Sequence, residues 1–252
     1  MSTMASEALQ GIFRSLRIYH QDAERGARMD ALYSRFIGSG DLVFDIGSHV
    51  GDRISSFRRL GACVVGLEPQ PLAFRALQII HGRDEKVSLH QCACASKSGE
   101  APVYLNEANP TVSTLSGEFI EASKGQEGWT GQTWNRSDTI RTTTLDDLIK
   151  KHGEPVFAKI DVEGFEAEVL AGLSIPLKAL SFEFTTIQKN VAEICLRVLD
   201  KLGPYRFNIS LGEDHEFTFA DPLDADAMIA HILALPHEAN SGDVYAWLAE
   251  NR

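Results

Sequence analysis

Short apolar runs alternate with segments of helical periodicity along most of this chain. The apolar runs typical of buried strands cover residues 42–45, 63–68, 87–90, 156–161 and 180–184. Between them, apolar residues recur at the spacing of one helix face, most regularly over residues 191–202. This alternation predicts βαβ units, and therefore an α/β fold with a mostly parallel sheet and helices on both faces.

The N-terminal part of the chain predicts helices before the first strand. Four apolar residues between positions 9 and 16 have helical spacing, and residues 22–36 predict a second helix. We interpret residues 1–38 as an N-terminal helical cap that covers the core or a site. Residues 39–252 then form the main domain.

The second half of the chain departs from simple alternation in two places. Residues 116–138 are rich in Gly, Ser, Thr and Trp and predict a loop insertion. Its Trp129 and Trp134 either stack on a bound sugar or form an exposed contact in a homodimer. Further on, residues 205–210 and 216–220 predict an antiparallel hairpin at one edge of the sheet.

Composition and charge narrow the classes of partner. The 252 residues are 44% hydrophobic and 23% charged, as in an ordinary globular protein. The formal net charge is −11, and residues 153–252 alone carry 17 acidic against 7 basic side chains. Because this field repels phosphate backbones and anionic lipid, we expect neither nucleic acid nor a membrane surface as the partner.

The cysteines and the first residues give no sign of secretion or of zinc. Cys63, Cys92, Cys94 and Cys195 lie in apolar or small-residue runs and are interpreted as small core residues. A basic segment followed by an apolar one is missing after Met1, and no apolar run reaches 18 residues. We therefore expect a cytoplasmic protein without membrane insertion.

The clearest local motif follows the first predicted strand. Residues 45–51 have the sequence DIGSHVG, in which Gly47 and Gly51 allow a sharp turn and a close approach of a ligand to the backbone. Glu68 closes the second predicted strand, where a carboxylate can accept both hydroxyl groups of a ribose. Together these features indicate a nucleoside site, although a merely structural turn would also use the glycines.

Asp45 bears on which nucleoside is bound. The dinucleotide motif has a glycine at this position, and a carboxylate there would repel a pyrophosphate. The same carboxylate would attract the ammonium and sulfonium groups of S-adenosyl-L-methionine. An enzyme that depends on NAD or a nucleotide sugar, and a noncatalytic cofactor-binding interaction module, stay open as alternatives.

A second group of charges lies at the end of the fourth core strand. Lys159 and Asp161 share one face of that strand, and Glu163 lies just beyond it. Asp161 or Glu163 would orient the methionine end of the donor or act as base on an acceptor hydroxyl. Alternatively, Glu163 and Glu166 only complement the dipole of the following helix. Clustered carboxylates can bind a hard cation, but the spacing gives no complete octahedral set of ligands, so we expect methyl transfer without a metal.

Five ordered blocks of this sequence resemble the FkbM-type methyltransferases, within the S-adenosylmethionine-dependent Rossmann-like enzymes. The blocks are residues 43–52, residues 66–69, residues 143–148, residues 159–166 with 169–172, and residues 242–246. The resemblance implies a Rossmann-like seven-stranded sheet and S-adenosyl-L-methionine as cofactor. The residues that it implies, together with the motifs, for cofactor binding are Asp45, Gly47, Ser48, Gly51, Glu68, Pro69, Cys92, Ala93, Ser113 and Asp161.

Most members of this family methylate hydroxyl oxygens. The resemblance therefore implies O-methylation of a glycan, a glycolipid or a polyketide-like small molecule, with Asp161, Glu163 and His49 as candidate catalytic residues. His49 departs from the family, which usually has a small polar residue such as Asn there. Its side chain either contacts cofactor or acceptor, or caps the following helix.

Overall fold

A seven-stranded sheet runs through the computed structural model, which describes residues 3–249 and the side chains from residue 7 onward. The ten strands are β1 (Leu42–Ile46), β2 (Cys63–Leu67), β3 (Val87–His90), β4 (Ala93–Cys94), β5 (Gly99–Leu105), β6 (Arg136–Thr143), β7 (Phe157–Ile160), β8 (Ala179–Thr185), β9 (Tyr205–Leu211) and β10 (Ser241–Leu248). The large sheet has the order β3-β2-β1-β7-β8-β10-β9, and a small sheet has the order β4-β6-β5. In the large sheet β10 is antiparallel to both of its neighbours, β8 and β9. The other five strands, β3, β2, β1, β7 and β8, pair with one another in parallel.

Helices cover both faces of the large sheet, as the sequence predicts. They are α1 (Thr3–His20), α2 (Ala23–Tyr33), α3 (Asp52–Arg59), α4 (Pro71–His81), α5 (Gly117–Ser123), α6 (Leu145–His152), α7 (Glu166–Leu170), α8 (Lys189–Leu202) and α9 (Ala225–Ala234). Several begin at residues that suit a helix start. Asp22, Thr144 and Asp224 each accept a hydrogen bond from a backbone N–H in the first turn of their helix.

The core has two layers because side chains alternate between the faces of each strand. On β1, Val43 packs with residues of α2, α3 and α4, whereas the neighbouring Phe44 packs on the other face with residues of α6, α7, α8 and α9. Phe157 and Ala158 of β7 divide in the same way. The predicted α/β fold with a mostly parallel sheet is thus confirmed.

The predicted terminal hairpin has the wrong second strand. β9 pairs with β10, and residues 216–220 form no strand. Phe217 in that segment stacks on Trp247, with ring centroids 5.9 Å apart, so its apolar alternation reflects packing onto β10. Helix α9, which the sequence analysis did not predict, fills the connection between the two strands.

The predicted loop insertion also contains regular structure. Ser116 accepts a hydrogen bond from the Phe119 N–H (3.0 Å) and begins α5, and β6 already starts at Arg136. Phe119 is fully buried, and the rings of Trp129 and Trp134 both meet it edge-on. The two tryptophans therefore pack within the insertion itself.

The predicted N-terminal helices are present as α1 and α2. Ile12 of α1 packs with Ala73 and Ala76 of α4, and Met29 of α2 joins the core beneath α3. Their description as a separate cap stays a prediction. Among residues 3–249, no helix is both long and apolar enough to cross a bilayer.

Candidate active site

A cavity lies at the carboxyl ends of the central strands, where α/β sheets of this kind bind their ligands. It brings together most of the residues singled out from the sequence. Those that line it are Gly47, Ser48, His49, Glu68, Pro69, Cys92, Ala93, Ser113, Asp161 and Glu163. Asp45 and Gly51 do not line it, although both belong to the turn beside it.

The turn after β1 is held tightly against β7. Gly47 has a φ of +87°, and a Cβ at this position would lie 1.8 Å from the carbonyl oxygen of Asp161. The N–H groups of Gly47 and Ser48 both donate to the Leu67 carbonyl, at 2.9 and 2.8 Å. Only glycine permits this approach, and the turn is fixed to both neighbouring strands.

Glu68 is buried and has a fixed orientation. Its Oε2 accepts a hydrogen bond from the His49 N–H at 2.8 Å, and its Oε1 accepts one from the Gln70 N–H at 2.7 Å. Burial raises the pKa of Glu68 to about 8, although the two amide groups act to lower it. Each oxygen keeps a further lone pair with which it can accept a ligand hydroxyl.

Asp45 and Gly51 support the site from behind. Asp45 is buried in β1, and its Oδ2 has no hydrogen-bond partner within the described residues. Burial raises the pKa of Asp45 to about 7. Gly51 begins α3 with a φ of +83°, and a Cβ there would press on Leu77 and His81 of α4. A glycine at position 51 therefore allows α3 to pack closely against α4.

Ser113 and the Cys92-Ala93 pair reach the cavity from the small sheet and its connections. Ala93 is the first residue of β4, and Cys92 precedes it. The Ser113 hydroxyl accepts a hydrogen bond from the Asn106 N–H at 3.1 Å. We call Gly47, Ser48, Glu68, Pro69, Cys92 and Ala93 together the β2 side of the cavity.

The other part of the cavity is acidic. We call Asp161 and Glu163, which follow β7, and Glu183 of β8 the β8 side. One carboxylate oxygen from each of the three residues lies within 4.8 Å of the other two. Beneath them, Lys159 is fully buried, and its Nζ donates to Asp161 Oδ2 (3.1 Å) and Asp243 Oδ1 (2.8 Å).

The two glutamates of the β8 side favour their neutral form. Burial, and then the nearby Asp161 carboxylate, raise the pKa of Glu163 and of Glu183 well above the ordinary value. Sequence analysis missed Glu183, although an acid inside the apolar run 180–184 was a readable signal. Glu166, by contrast, accepts hydrogen bonds from the N–H groups of Val162 and Gly164, in the connection that precedes α7.

His49 faces the cavity with an unsatisfied ring. Its φ is +45°, and its ring meets Tyr19 of α1 edge-on, with centroids 5.9 Å apart. Both ring nitrogens are shielded from solvent and lack a partner in the described structure. Because burial lowers the pKa of His49 to about 4, the imidazole is neutral near pH 7 and can accept a proton or a hydrogen bond.

A charged network joins helix α2 to the cavity, and no local sequence pattern indicates it. Arg25 of α2 donates to Asp52 (2.8 Å) and Glu213 (2.7 Å), and Arg53 of α3 donates to the same two carboxylates. Burial alone would raise the pKa of Glu213, but Arg53 and Arg25 hold it well below the ordinary value. Asp52, Arg53 and Glu213 all line the cavity.

The comparison with known proteins matches this arrangement to one family. The family model described as the methyltransferase FkbM domain matches residues 45–228. The chain is 30% identical over 223 residues to the 31-O-demethyl-FK506 methyltransferase FkbM of Streptomyces tacrolimicus, a match covering 77% of this chain and 80% of that protein. This chain belongs to the FkbM methyltransferase family.

Other similar proteins are more distant from this FkbM-family chain. It is 28% identical over 156 residues to the hexuronic acid methyltransferase AglP of Haloferax volcanii, which covers 60% of this chain and 57% of AglP. A solved TehB-like SAM-dependent methyltransferase from Corynebacterium glutamicum aligns with a TM-score of 0.49 and 11% identity, over 98% of this chain and 100% of that one.

The cofactor of this FkbM-family methyltransferase is S-adenosylmethionine. The residues present fit that group, because Glu68 offers free lone pairs and Asp45 holds an unpartnered carboxylate oxygen behind the turn. They fit a pyrophosphate less well, because the N–H groups of Gly47, Ser48 and His49 are already bonded to Leu67 and Glu68 and are not free to bind phosphate.

Proposed function

We propose that this methyltransferase transfers a methyl group to a hydroxyl oxygen of a glycan, a glycolipid or a polyketide-like small molecule. The observation that carries the proposal is the β8 side, where Asp161, Glu163 and Glu183 meet beside the cofactor residues. A hydroxyl becomes a good nucleophile when a base takes its proton. The Asp161 carboxylate, held by Lys159, can take that proton, and Glu163 and Glu183, which favour their neutral form, can hydrogen-bond the acceptor.

The residues of the β2 side have the complementary role of holding the donor. S-adenosylmethionine supplies an activated methyl group, so the protein has mainly to align the acceptor oxygen and exclude water. Orientation of this kind accounts for roughly 7–11 kcal/mol of a barrier. Glu68, fixed by two backbone amides, and Gly47, fixed against β7, provide a rigid support for such alignment.

Lys159 supports the acceptor residues in this proposal. It is buried between Asp161 and Asp243, and it holds the Asp161 carboxylate in one orientation. His49, which is neutral and has no ring partner within the described residues, can accept a hydrogen bond from the acceptor hydroxyl. The names of the two relatives fit an oxygen acceptor as well, because one is a 31-O-demethyl-FK506 methyltransferase and the other a hexuronic acid methyltransferase.

The proposal is tested by product analysis. Purified protein is incubated with S-adenosylmethionine labelled in the methyl group and with sets of sugar alcohols, uronic acids, cyclohexanediols, amines and thiols. We expect label in an ether linkage, stable to mild alkali, with the hydroxyl acceptors. Label on nitrogen or sulfur, or in an alkali-labile ester only, would contradict it. The Asp161→Asn variant is expected to bind S-adenosylhomocysteine but to turn over more slowly.

A further inference from the structure

The β8 side contains more negative charge than its surroundings neutralise. Asp161, Glu163 and Glu183 meet there, and Asp243 lies on the far side of Lys159. Lys159 is the one cation in contact with this group within the described residues, and it is shared between Asp161 and Asp243. Charge taken out of water in this way needs either protons or a cation.

Two carboxylates of the group also lack partners, which is an observation separate from the charge. Glu163 is only 8% exposed, and its one hydrogen bond, from Thr114 Oγ1, is to the backbone carbonyl. Glu183 Oε2 is shielded from solvent and has no partner among the described atoms. Both side chains face the cavity. Buried polar atoms are rarely left unpaired, so these oxygens indicate a missing ligand.

We propose that Asp161, Glu163 and Glu183 bind one divalent cation of the Mg²⁺ or Mn²⁺ class at the β8 side. The donor set is entirely oxygen, which such hard cations prefer. Two ligands on opposite sides of a cation at 2.0–2.6 Å lie about 4–5 Å apart. One oxygen from each residue lies within 4.8 Å of the other two, which is close enough for one cation to contact all three.

The cation site is open toward the cavity. Three protein oxygens leave further coordination positions for water or for oxygens of the acceptor. A cation there would hold a hydroxyl beside the donor and lower its pKa, so that its proton would pass to water or to a carboxylate oxygen that the cation leaves free. This role rests on the proposed function, whereas binding of the cation itself does not.

The experiment is a titration of the protein with Mn²⁺ followed by electron paramagnetic resonance, with and without saturating S-adenosylhomocysteine. We expect one equivalent of bound Mn²⁺, displaced by excess Mg²⁺. Since even groups outside the ligand shell contribute about 10- to 100-fold to metal affinity, Glu163→Gln and Glu183→Gln should each weaken Mn²⁺ binding at least about tenfold. Glu100→Gln, which removes an exposed carboxylate on β5, should leave it unchanged.

The controls separate this inference from the proposed function. Calorimetric titration with S-adenosylhomocysteine reports whether each variant is folded and keeps its donor site. For a Gln variant that loses this binding, Glu183→Asp replaces it, because Asp keeps the charge but withdraws the oxygen by one methylene. Absence of one tight equivalent of Mn²⁺, or equal Mn²⁺ affinity in wild type and the folded variants, overturns the inference. Full turnover in the presence of EDTA overturns the role of the cation in the reaction while leaving O-methylation intact.

Discussion

The two sides of the cavity are built in different ways. On the β2 side, Glu68 has both oxygens bonded to backbone amides, and the turn at Gly47 is bonded to β2 and pressed on β7. On the β8 side, Glu183 Oε2 has no hydrogen-bond partner within the described residues. The same is true of both ring nitrogens of His49, which also lines the cavity. The first side is complete before a ligand arrives, whereas the second needs a ligand to satisfy its polar atoms.

This difference has a functional meaning. We propose that the β2 side holds the cofactor common to the family, and a rigid site reduces the entropy lost on binding. The acceptors named for the two relatives differ, and other residues that line the cavity come from distant parts of the chain, such as Arg53 and Glu213. Four variants test whether the two sides are as separable as this comparison states.

Gly47→Ala should have the largest effect on stability, because it changes the turn that fixes the β2 side. The new methyl group would meet the Asp161 carbonyl at 1.8 Å, in a left-handed conformation. We expect a loss of roughly 2–5 kcal/mol of unfolding free energy, measured by urea denaturation. Gly128→Ala is the matched control, since Gly128 has a φ of +84° and no atom within 4 Å of its Cβ position. Equal losses in both variants would show that the contact with β7 is unimportant.

Glu68→Gln should come next and act on the donor alone. The amide keeps the shape of the side chain but replaces one acceptor oxygen with an NH₂ group that faces a backbone N–H. A buried donor left unsatisfied costs about 1–3 kcal/mol, so affinity for S-adenosylhomocysteine should fall roughly 10- to 100-fold. In calorimetric titrations, Glu183→Gln should change this affinity much less. A reversed order would contradict the assignment of the two sides.

Arg25→Ala should weaken the attachment of α2 and lower stability without changing the affinity for the donor. The substitution removes the bonds from α2 to Asp52 and Glu213, although Arg53 still contacts both carboxylates. We expect a loss of about 1–2 kcal/mol in thermal or urea unfolding, with donor affinity retained. Arg197→Ala breaks an exposed ion pair with Asp226 and should give no measurable shift. Loss of donor binding in Arg25→Ala would mean that the network belongs to both sides.

Asp45→Asn should change how the stability of the protein depends on pH. The pKa of Asp45 is raised from 3.8 to about 7, so the folded protein holds this proton more tightly than the unfolded chain. Its contribution to stability is therefore present below pH 4 and is lost as the pH rises toward 7. The variant should gain about 1 kcal/mol per pH unit relative to wild type over that range. Parallel urea midpoints from pH 5 to pH 7 would exclude a buried, partnerless carboxyl.

The β2 side could be predicted from the sequence because it is local. Gly47, Glu68 and the two strands that precede them lie within 27 residues, from residue 42 to residue 68, and the motif has a characteristic order. Its prediction required only that consecutive strands be parallel neighbours, which is the usual outcome in βαβ units. The capping of α6 by Thr144 was readable for the same reason, since donor and acceptor are three residues apart.

The remaining features depend on contacts between distant parts of the chain. The partner of β9 follows after an intervening helix, so the apolar alternation of residues 216–220 was mistaken for the nearest strand. The pairing of Arg53 with Glu213 joins residues 160 positions apart, and no local pattern records it. Glu183 was visible only as an acid in an apolar strand, and its meaning appears once β8 lies beside β7.

We propose a rigid S-adenosylmethionine site built around Glu68. Calorimetric titration of wild type and Glu68→Gln with S-adenosylhomocysteine tests it, with NAD as the parallel ligand. We predict saturable binding of one S-adenosylhomocysteine per chain in wild type, weakened roughly 10- to 100-fold in the variant, and no binding of NAD. Binding of NAD alone, binding of neither ligand, or equal S-adenosylhomocysteine affinity in wild type and Glu68→Gln would contradict it.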